Sequence, residues 1–211
     1  MTAREALAAF LMRMRAGGIA DNALLAAFET VPRARFLPTE WASHAYSARM
    51  IPIACGEAIE GADYQASTIA ALDIKGGERV LEVGTGSGYT AAIMAQLGAR
   101  VVSLERYKTL CTDAQHRLEG LAPVSVRHAD GSKGMASEGP FDRVIAWAAF
   151  ETLPRQFTDQ IASGGIMIAP IGGAEERQTL VKLTKIGSRF ERENIGFARL
   201  QPLAQSIAAR L

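Results

Sequence analysis

The chain has 211 residues, of which 48% are hydrophobic and 21% are charged. This balance is typical of a folded globular protein and excludes an intrinsically disordered chain. Its 23 lysines and arginines nearly equal its 22 aspartates and glutamates, which leaves a net charge of +1. Such a charge excludes nucleic-acid binding driven by overall charge. The longest apolar runs are shorter than the roughly 18 residues of a membrane helix, so we expect no association with a membrane.

The two cysteines and three histidines show no spacing that is typical of a metal site. Cys55 and Cys111 form neither a CxxC pair nor part of a zinc pattern. We therefore expect a reduced, cytoplasmic protein without a bound metal. No pattern in the sequence indicates an oligomeric state.

Residues 1–75 are predicted to form a helical N-terminal lobe. Apolar side chains at helical spacing indicate a first helix that contains Ala6 to Met14, and the glycines after it end it. A second helix is expected from Asp21 to Phe28, and a third from Tyr64 to Asp73 with Asp63 as its N-cap. The stretch between the second and third helices is punctuated by prolines and lacks periodicity, which is typical of a loop.

From Glu78 onward, short apolar runs alternate with helix-like segments. This alternation predicts βαβ units, and hence an α/β fold with a doubly wound, mostly parallel sheet covered on both faces. Two further runs flank Gly187–Ser188 and predict a C-terminal hairpin. The predicted strands are 79–83, 101–105, 124–128, 141–147 and 165–172, followed by 178–186 and 189–200 in the hairpin. Residues 76–211 are thus expected to form an α/β domain that joins the lobe in one compact unit.

A glycine-rich turn connects the first predicted strand to the helix that follows it. It reads LEVGTGSGY over residues 81–89. Glycines permit a tight turn there and a close approach of a ligand to the N–H groups at a helix N-terminus. The nicotinamide motif GxGxxG would need a third glycine where Tyr89 stands. The pattern E-x-G-x-G-x-G, which starts at Glu82, instead resembles the S-adenosylmethionine (SAM) loop of class I methyltransferases.

Two further acidic positions support this interpretation. Glu105 ends the second strand, where an acceptor for both ribose hydroxyls belongs. Asp130 and Gly131 follow the third strand, where the same fold usually contacts adenine. The predicted cofactor-binding residues are therefore Glu82, Gly84, Thr85, Gly86, Gly88, Glu105, Asp130 and Gly131.

Beyond this loop, the chain resembles the protein-L-isoaspartate (D-aspartate) O-methyltransferase family over nearly its full length. The segments that carry the resemblance are GI (18–19), VPRARFLP (31–38), LEVGTGSGY (81–89), ADG (129–131), FD (141–142), PIG (170–172) and FARLQPL (197–203). The resemblance implies a Rossmann-like class I methyltransferase fold and a SAM-dependent protein carboxyl methyltransferase, with S-adenosylhomocysteine (SAH) as product. It also implies peptide or protein substrates, because members of the family methylate the free carboxylate of L-isoaspartyl residues in damaged proteins.

One loop departs from the family pattern. The family's GQTIS, which closes over the site, reads GEAIE over residues 56–60, so Glu60 stands where the family has a serine. An ionised carboxylate there, about 4 Å from a substrate carboxylate, would repel it by about 4 kcal/mol at an effective dielectric near 20. Glu60 is therefore expected to be protonated, to pair with Arg35 or Arg49, or to point outward. Alternatively, the acceptor is not a carboxylate and Glu60 acts as a general base.

For the acceptor site we predict Glu60 as the catalytic residue and Ile59, Glu60, Tyr46 and Trp147 as substrate-binding residues. Trp147 stands where the family has a small polar residue and would narrow the site. Two alternatives stay open: a methyltransferase of the same fold with a different acceptor, and a SAM-binding homologue without catalysis. A nicotinamide oxidoreductase is disfavoured by Tyr89 and Glu82.

Overall fold

The computed structural model describes residues 2–121 and 123–208. Within these ranges, five α-helices and nine strands form. The helices are α1 (Ala3–Ala16), α2 (Asn22–Thr30), α3 (Ala62–Leu72), α4 (Tyr89–Gln96) and α5 (Lys108–Arg117). The strands are β1 (Ile51–Pro52), β2 (Ala58–Ile59), β3 (Arg79–Val83), β4 (Arg100–Glu105), β5 (Val124–His128), β6 (Phe141–Ala146), β7 (Ile161–Ile171), β8 (Gln178–Ile186) and β9 (Arg189–Ala198). No helix in the described part of the chain is both long and apolar enough to cross a membrane.

The central sheet has seven strands in the order β5-β4-β3-β6-β7-β8-β9. The strands from β5 to β7 run parallel, whereas β8 and β9 are added antiparallel as a hairpin. These features confirm the predicted α/β class, the mostly parallel sheet and the C-terminal hairpin. The strand order reverses between β3 and β6, so a crevice opens there at the carboxyl ends of the strands.

The two faces of the sheet are covered differently. One hydrophobic cluster joins side chains of all five α-helices to one face, for example Phe10, Leu24 and Val80. The cluster on the other face is closed by loops and short 3-10 helices, among them Arg155–Gln160. Glycines and prolines break the segments before β6 and β7, so α-helices do not form there.

Several element boundaries differ by one or more residues from those predicted, among them the starts of α3 and β7. Helix α3 begins at Ala62 with Gly61 as its N-cap, so Asp63 lies in the first turn and is not the cap. The Asp63 carboxylate instead accepts hydrogen bonds from the guanidinium of Arg13, with a shortest N–O distance of 2.8 Å. Strand β7 begins at Ile161, earlier than the predicted 165, because its first residue already pairs with Phe141 before a bulge.

Candidate active site

Two cavities lie beside each other near the carboxyl ends of the central strands. The inner cleft is lined by the glycine-rich turn, the end of β4 and the segment after β6. The outer cavity lies between the N-terminal end of α3 and the segments before β8 and at the end of β9. Glu60 and Met50 line both, so the two cavities share a wall.

Residues 84–87 of the glycine-rich turn line the inner cleft, whereas the predicted cofactor-binding residue Gly88 does not. Gly84, Gly86 and Gly88 have φ values of +93°, +52° and +86°, a conformation that strains any residue with a Cβ. A Cβ on Gly86 would also lie 3.3 Å from a methyl group of Ile59, and one on Gly84 would lie 3.4 Å from the Trp147 side chain. The backbone conformation and the tight packing therefore require glycine at these positions.

Glu105 is held in place at the mouth of the same turn. One carboxylate oxygen accepts a hydrogen bond from the Gly86 N–H and the other from the Tyr107 N–H, both at 2.9 Å. Each oxygen keeps a second lone pair, so the carboxylate can accept two further hydrogen bonds. Burial raises the pKa of Glu105, and the three backbone N–H groups near it oppose that rise. This arrangement suits a ligand with two neighbouring hydroxyl groups.

Glu82 is fully buried and lies outside the lining of the inner cleft. Its carboxylate accepts hydrogen bonds from the hydroxyls of Thr90 and Ser103 and from the Trp147 indole N–H, the last at 2.9 Å. Burial raises its pKa to about 7 despite these three donors. Thr85, which lines the cleft, joins the same network through its hydroxyl, 2.6 Å from that of Ser103. Glu82 therefore positions the turn and the indole rather than contacting a ligand in the cleft.

Asp130 and Gly131 differ in what they contribute. Gly131 lines the inner cleft, and a Cβ on it would lie only 2.6 Å from a methyl group of Val83. The Asp130 carboxylate caps the short 3-10 helix that follows it and also accepts a hydrogen bond from the Ser206 N–H, each at 2.9 Å. Asp130 thus ties the C-terminal segment to the edge of the cleft.

Of the predicted substrate-binding residues, three are brought together and one is not. Ile59, Glu60 and Trp147 line the inner cleft. Tyr46 lines neither cavity, and its ring stacks on that of Phe10 in the N-terminal lobe, with centroids 5.4 Å apart. Tyr46 lies close to the loop in sequence, but the fold does not bring it to either cavity.

Glu60 is buried, with 7% of its surface exposed, so it does not point into solvent. Among the described residues, no side chain donates a hydrogen bond to its carboxyl group, which has its own backbone N–H as a donor. Burial raises the pKa of Glu60 to about 7. The charge of Arg33 opposes this rise, while those of Glu82 and Glu57 add to it. The nearby cation is thus Arg33 and not Arg35 or Arg49, the partners expected from the sequence.

Arg33 was not among the predicted site residues, although it lies in the VPRARF segment. Its side chain is fully buried. The guanidinium donates hydrogen bonds to the carbonyls of Ala45 (2.5 Å) and Glu60 (2.6 Å) and to the side-chain oxygen of Gln65 (2.9 Å). It also lies 5.3 Å from the ring centroid of Tyr89. One side chain therefore fixes the loop, the start of α3 and the segment before β1 relative to each other.

The outer cavity contains further residues that were not among the predicted site residues. The Tyr64 hydroxyl is buried and has no hydrogen-bond partner among the described residues. Arg177 and Arg199 supply exposed positive charge to the walls, and Phe197, 56% exposed, lies under the Arg177 guanidinium. These residues come from three distant segments, so only the fold brings them together.

Comparison with known proteins identifies the family. The sequence model of the protein-L-isoaspartate(D-aspartate) O-methyltransferase family matches residues 5–206. A protein-L-isoaspartate O-methyltransferase of Rhizobium meliloti is 44% identical over 202 residues, which cover 95% of this chain and 99% of the relative. The enzyme of the same name from Azorhizobium caulinodans is 39% identical over 210 residues, covering 99% and 97% of the two chains.

Solved structures show the same fold at lower identity. A Plasmodium falciparum protein of this description, in complex with SAH, superposes with a TM-score of 0.81 at 22% identity, covering 93% of this chain and 97% of its own. Another protein-L-isoaspartate O-methyltransferase structure gives a TM-score of 0.84 at 23% identity, covering 95% and 67%. The chain therefore belongs to the protein-L-isoaspartate (D-aspartate) O-methyltransferase family of SAM-dependent methyltransferases.

Proposed function

We propose that this protein transfers the methyl group of SAM to the free carboxylate of L-isoaspartyl residues in peptides and proteins. The observation that carries the proposal is the shared wall of the two cavities. The inner cleft has the groups that suit a nucleoside cofactor, and the outer cavity has positive charge that suits an anionic acceptor. Because Glu60 lines both, an acceptor and a cofactor bound there would meet beside it.

The residues of the inner cleft fit SAM. Glu105 would accept the two ribose hydroxyls, since its carboxylate keeps two free lone pairs at the end of β4. Residues 84–87 of the turn, which line the cleft, would let the amino-acid part of SAM approach the backbone. Gly131 leaves room at the edge where adenine is expected.

Methyl transfer requires little of the protein beyond the positioning of the acceptor and the cofactor. SAM, when bound, supplies a methyl group on a positively charged sulfur, which a carboxylate attacks without the help of a strong base. The side chains then need only to hold the acceptor in line and to keep water out, and such positioning is worth roughly 7–11 kcal/mol. Ile59 and the Trp147 ring, both at the wall of the inner cleft, exclude water from the meeting point.

The outer cavity would hold the acceptor peptide. Arg177 and Arg199 attract its carboxylate during approach, and the exposed side chains of Met50 and Phe197 offer apolar surface to the neighbouring residues of the peptide. The opening of this cavity to solvent allows a large protein to present one modified residue.

The test is methyl transfer from labelled SAM to an L-isoaspartyl peptide, with the aspartyl peptide of the same sequence as substrate control. We expect selective transfer to the isoaspartyl peptide. The double substitution Arg177→Gln/Arg199→Gln should raise KM for the peptide about tenfold, because it removes the positive charge around the acceptor. Arg189→Gln, an exposed arginine outside both cavities, is the matched control. Binding of SAH without transfer to either peptide would contradict the proposal.

A second candidate is a methyltransferase with a hydroxyl or amine acceptor. The buried Glu60 carboxyl without a side-chain partner favours it, because an ionised carboxylate in that position could remove a proton from such an acceptor. Transfer to hydroxyl or amine compounds, with none to the isoaspartyl peptide, would support this candidate.

A further inference from the structure

Two polar side chains in the wall of the outer cavity have unused hydrogen-bonding capacity. The Glu60 carboxyl group receives no hydrogen bond from a described side chain and has its own N–H as a donor, and the buried Tyr64 hydroxyl makes no hydrogen bond within the described residues. Both residues line the outer cavity, and they are separated by about one helical turn at the start of α3. Buried polar groups in proteins are nearly always hydrogen-bonded, and because both residues line the cavity, a ligand bound there can supply the partners that the protein does not.

The surroundings of Glu60 favour its neutral form. Three charged groups act on Glu60 from nearby elements: Arg33 from the 3-10 helix Arg33–Phe36, Glu57 from its own loop and Glu82 from β3. Tyr64 faces it from α3, and Arg177 and Arg199 lie across the outer cavity. Arg33 is the buried cation among them, but it already donates to three oxygen atoms of the protein. Burial therefore dominates, and the pKa of Glu60 rises to about 7, with a smaller contribution from the two neighbouring acids.

We propose that the neutral carboxyl group of Glu60 and the hydroxyl of Tyr64 each donate a hydrogen bond to the carboxylate that receives the methyl group, so that Glu60 determines acceptor specificity. The inference rests on the proposed function and names the groups that recognise the acceptor. Two donors at one oxygen leave the other oxygen free to attack. The serine-to-glutamate change then keeps a hydrogen-bond donor at this position but makes it dependent on pH.

The proton stays on Glu60 throughout. An aspartyl-type carboxyl group has an ordinary pKa near 3.9, so it is the stronger acid of the two and remains ionised. In the transfer, a bond forms between the acceptor oxygen and the methyl carbon, and the bond between that carbon and sulfur breaks. The electron pair of the broken bond stays on sulfur, which becomes the neutral thioether of SAH. No proton moves, so the chemical step itself does not require Glu60 to titrate.

The pH dependence of acceptor binding follows from this arrangement. Below about pH 7 Glu60 is protonated and donates to the acceptor. Above that pH it ionises and repels the acceptor carboxylate. We therefore expect kcat/KM for the isoaspartyl peptide to fall about tenfold per pH unit above 7, mainly through KM, while kcat at saturating peptide changes little.

The test compares the unmodified protein with Glu60→Gln, Tyr64→Phe and Glu29→Gln between pH 5.5 and 9. The peptide contains no histidine and has blocked termini, and the readout is SAH formation, because the methyl ester hydrolyses at alkaline pH. Glu60→Gln keeps a neutral donor, so its kcat/KM should stay flat up to pH 9. Tyr64→Phe should raise KM about tenfold and keep the fall. Glu29→Gln, an exposed glutamate on α2, should match the unmodified protein.

Binding of SAH by each variant checks that it is folded. A flat profile for the unmodified protein, or an equal fall for Glu60→Gln, would overturn this inference while leaving the proposed function intact. No turnover of the isoaspartyl peptide by any of the four proteins at any pH, with SAH still bound, would overturn both.

Discussion

At the scale of single residues, the buried guanidinium of Arg33 fixes the wall that separates the two cavities. It satisfies three acceptors from three different segments, among them the Glu60 carbonyl. A buried acceptor that loses its donor costs about 1–3 kcal/mol. The position of Glu60 is thus a consequence of a residue 27 positions earlier in the chain.

This dependence predicts a large effect of Arg33→Met on stability. The substitution keeps much of the apolar volume but leaves the three acceptors without their donor, so we expect the free energy of unfolding to fall by about 3–5 kcal/mol. Arg35→Met, on the same 3-10 helix but exposed, should change it by less than about 0.5 kcal/mol. Urea unfolding of both variants measures the difference, and equal values would show that the Arg33 hydrogen bonds contribute nothing net.

Site residues that follow from a local pattern were predicted from the sequence, whereas site residues that depend on contacts between distant segments were not. The glycine-rich turn and Glu105 follow directly from their places at strand ends, and both line the inner cleft. Arg33 and Tyr64 gain their surroundings only through tertiary contacts, which no local pattern encodes. Tyr46 shows the converse, because it lies beside the loop in sequence yet packs on Phe10.

At the scale of elements, the loop from Gly56 to Gly61 is pressed against the segment before β1. The Ala62 N–H donates to the Ser47 carbonyl at 2.9 Å, and the Gly61 Cα sits so close to Ala48 that a Cβ would lie 2.1 Å from its carbonyl oxygen. This contact makes Gly61 the N-cap of α3. The sequence placed the start of that helix at the wrong residue because an aspartate is a good local cap, whereas the close approach to Ala48 is visible only in the fold.

The close approach predicts that Gly61→Ala forces the loop away from this segment. We expect a loss of about 1–3 kcal/mol in the free energy of unfolding, together with a higher KM for the acceptor, because Glu60 moves with the loop. Gly76→Ala is the matched control, since its Cβ would find no atom closer than 4.0 Å. It should be neutral or slightly stabilising. An unchanged KM for Gly61→Ala would mean that the loop tolerates the displacement.

At the scale of the whole molecule, the type of sheet was predicted but the order of its strands was not. The alternation of apolar runs correctly indicated a mostly parallel sheet with a terminal hairpin, because strand type follows from local pattern. The 3-10 helices on the second face were not foreseen, since they depend on how glycines and prolines interrupt the long connections before β6 and β7. The reversal between β3 and β6 is the feature that brings Glu105 and Trp147 to the same cleft.

Burying acids near the point where the strand order reverses lowers the stability of the folded protein at higher pH. Glu60 and Glu82 each have a pKa of about 7 in the folded protein, against an ordinary value of 4.5. Between these values the folded state binds more protons than the unfolded state, so its stability falls as pH rises through this window and stays reduced above it. Asp73 and Asp130, whose pKa values are lowered, act in the opposite direction but only below about pH 4.

We therefore expect the ligand-free protein to be more stable at pH 5 than at pH 8, by up to about 3 kcal/mol for each of the two buried glutamates. Urea unfolding at the two pH values measures this difference. The double substitution Glu60→Gln/Glu82→Gln should remove most of it, because neither amide titrates, whereas Glu40→Gln at the surface should leave it unchanged. Equal stability of the unmodified protein at both pH values would show that the two carboxyl groups are ionised at pH 5 despite their burial. Glu60 would then be charged over the whole range from pH 5 to pH 8, and its neutral form could not recognise the acceptor.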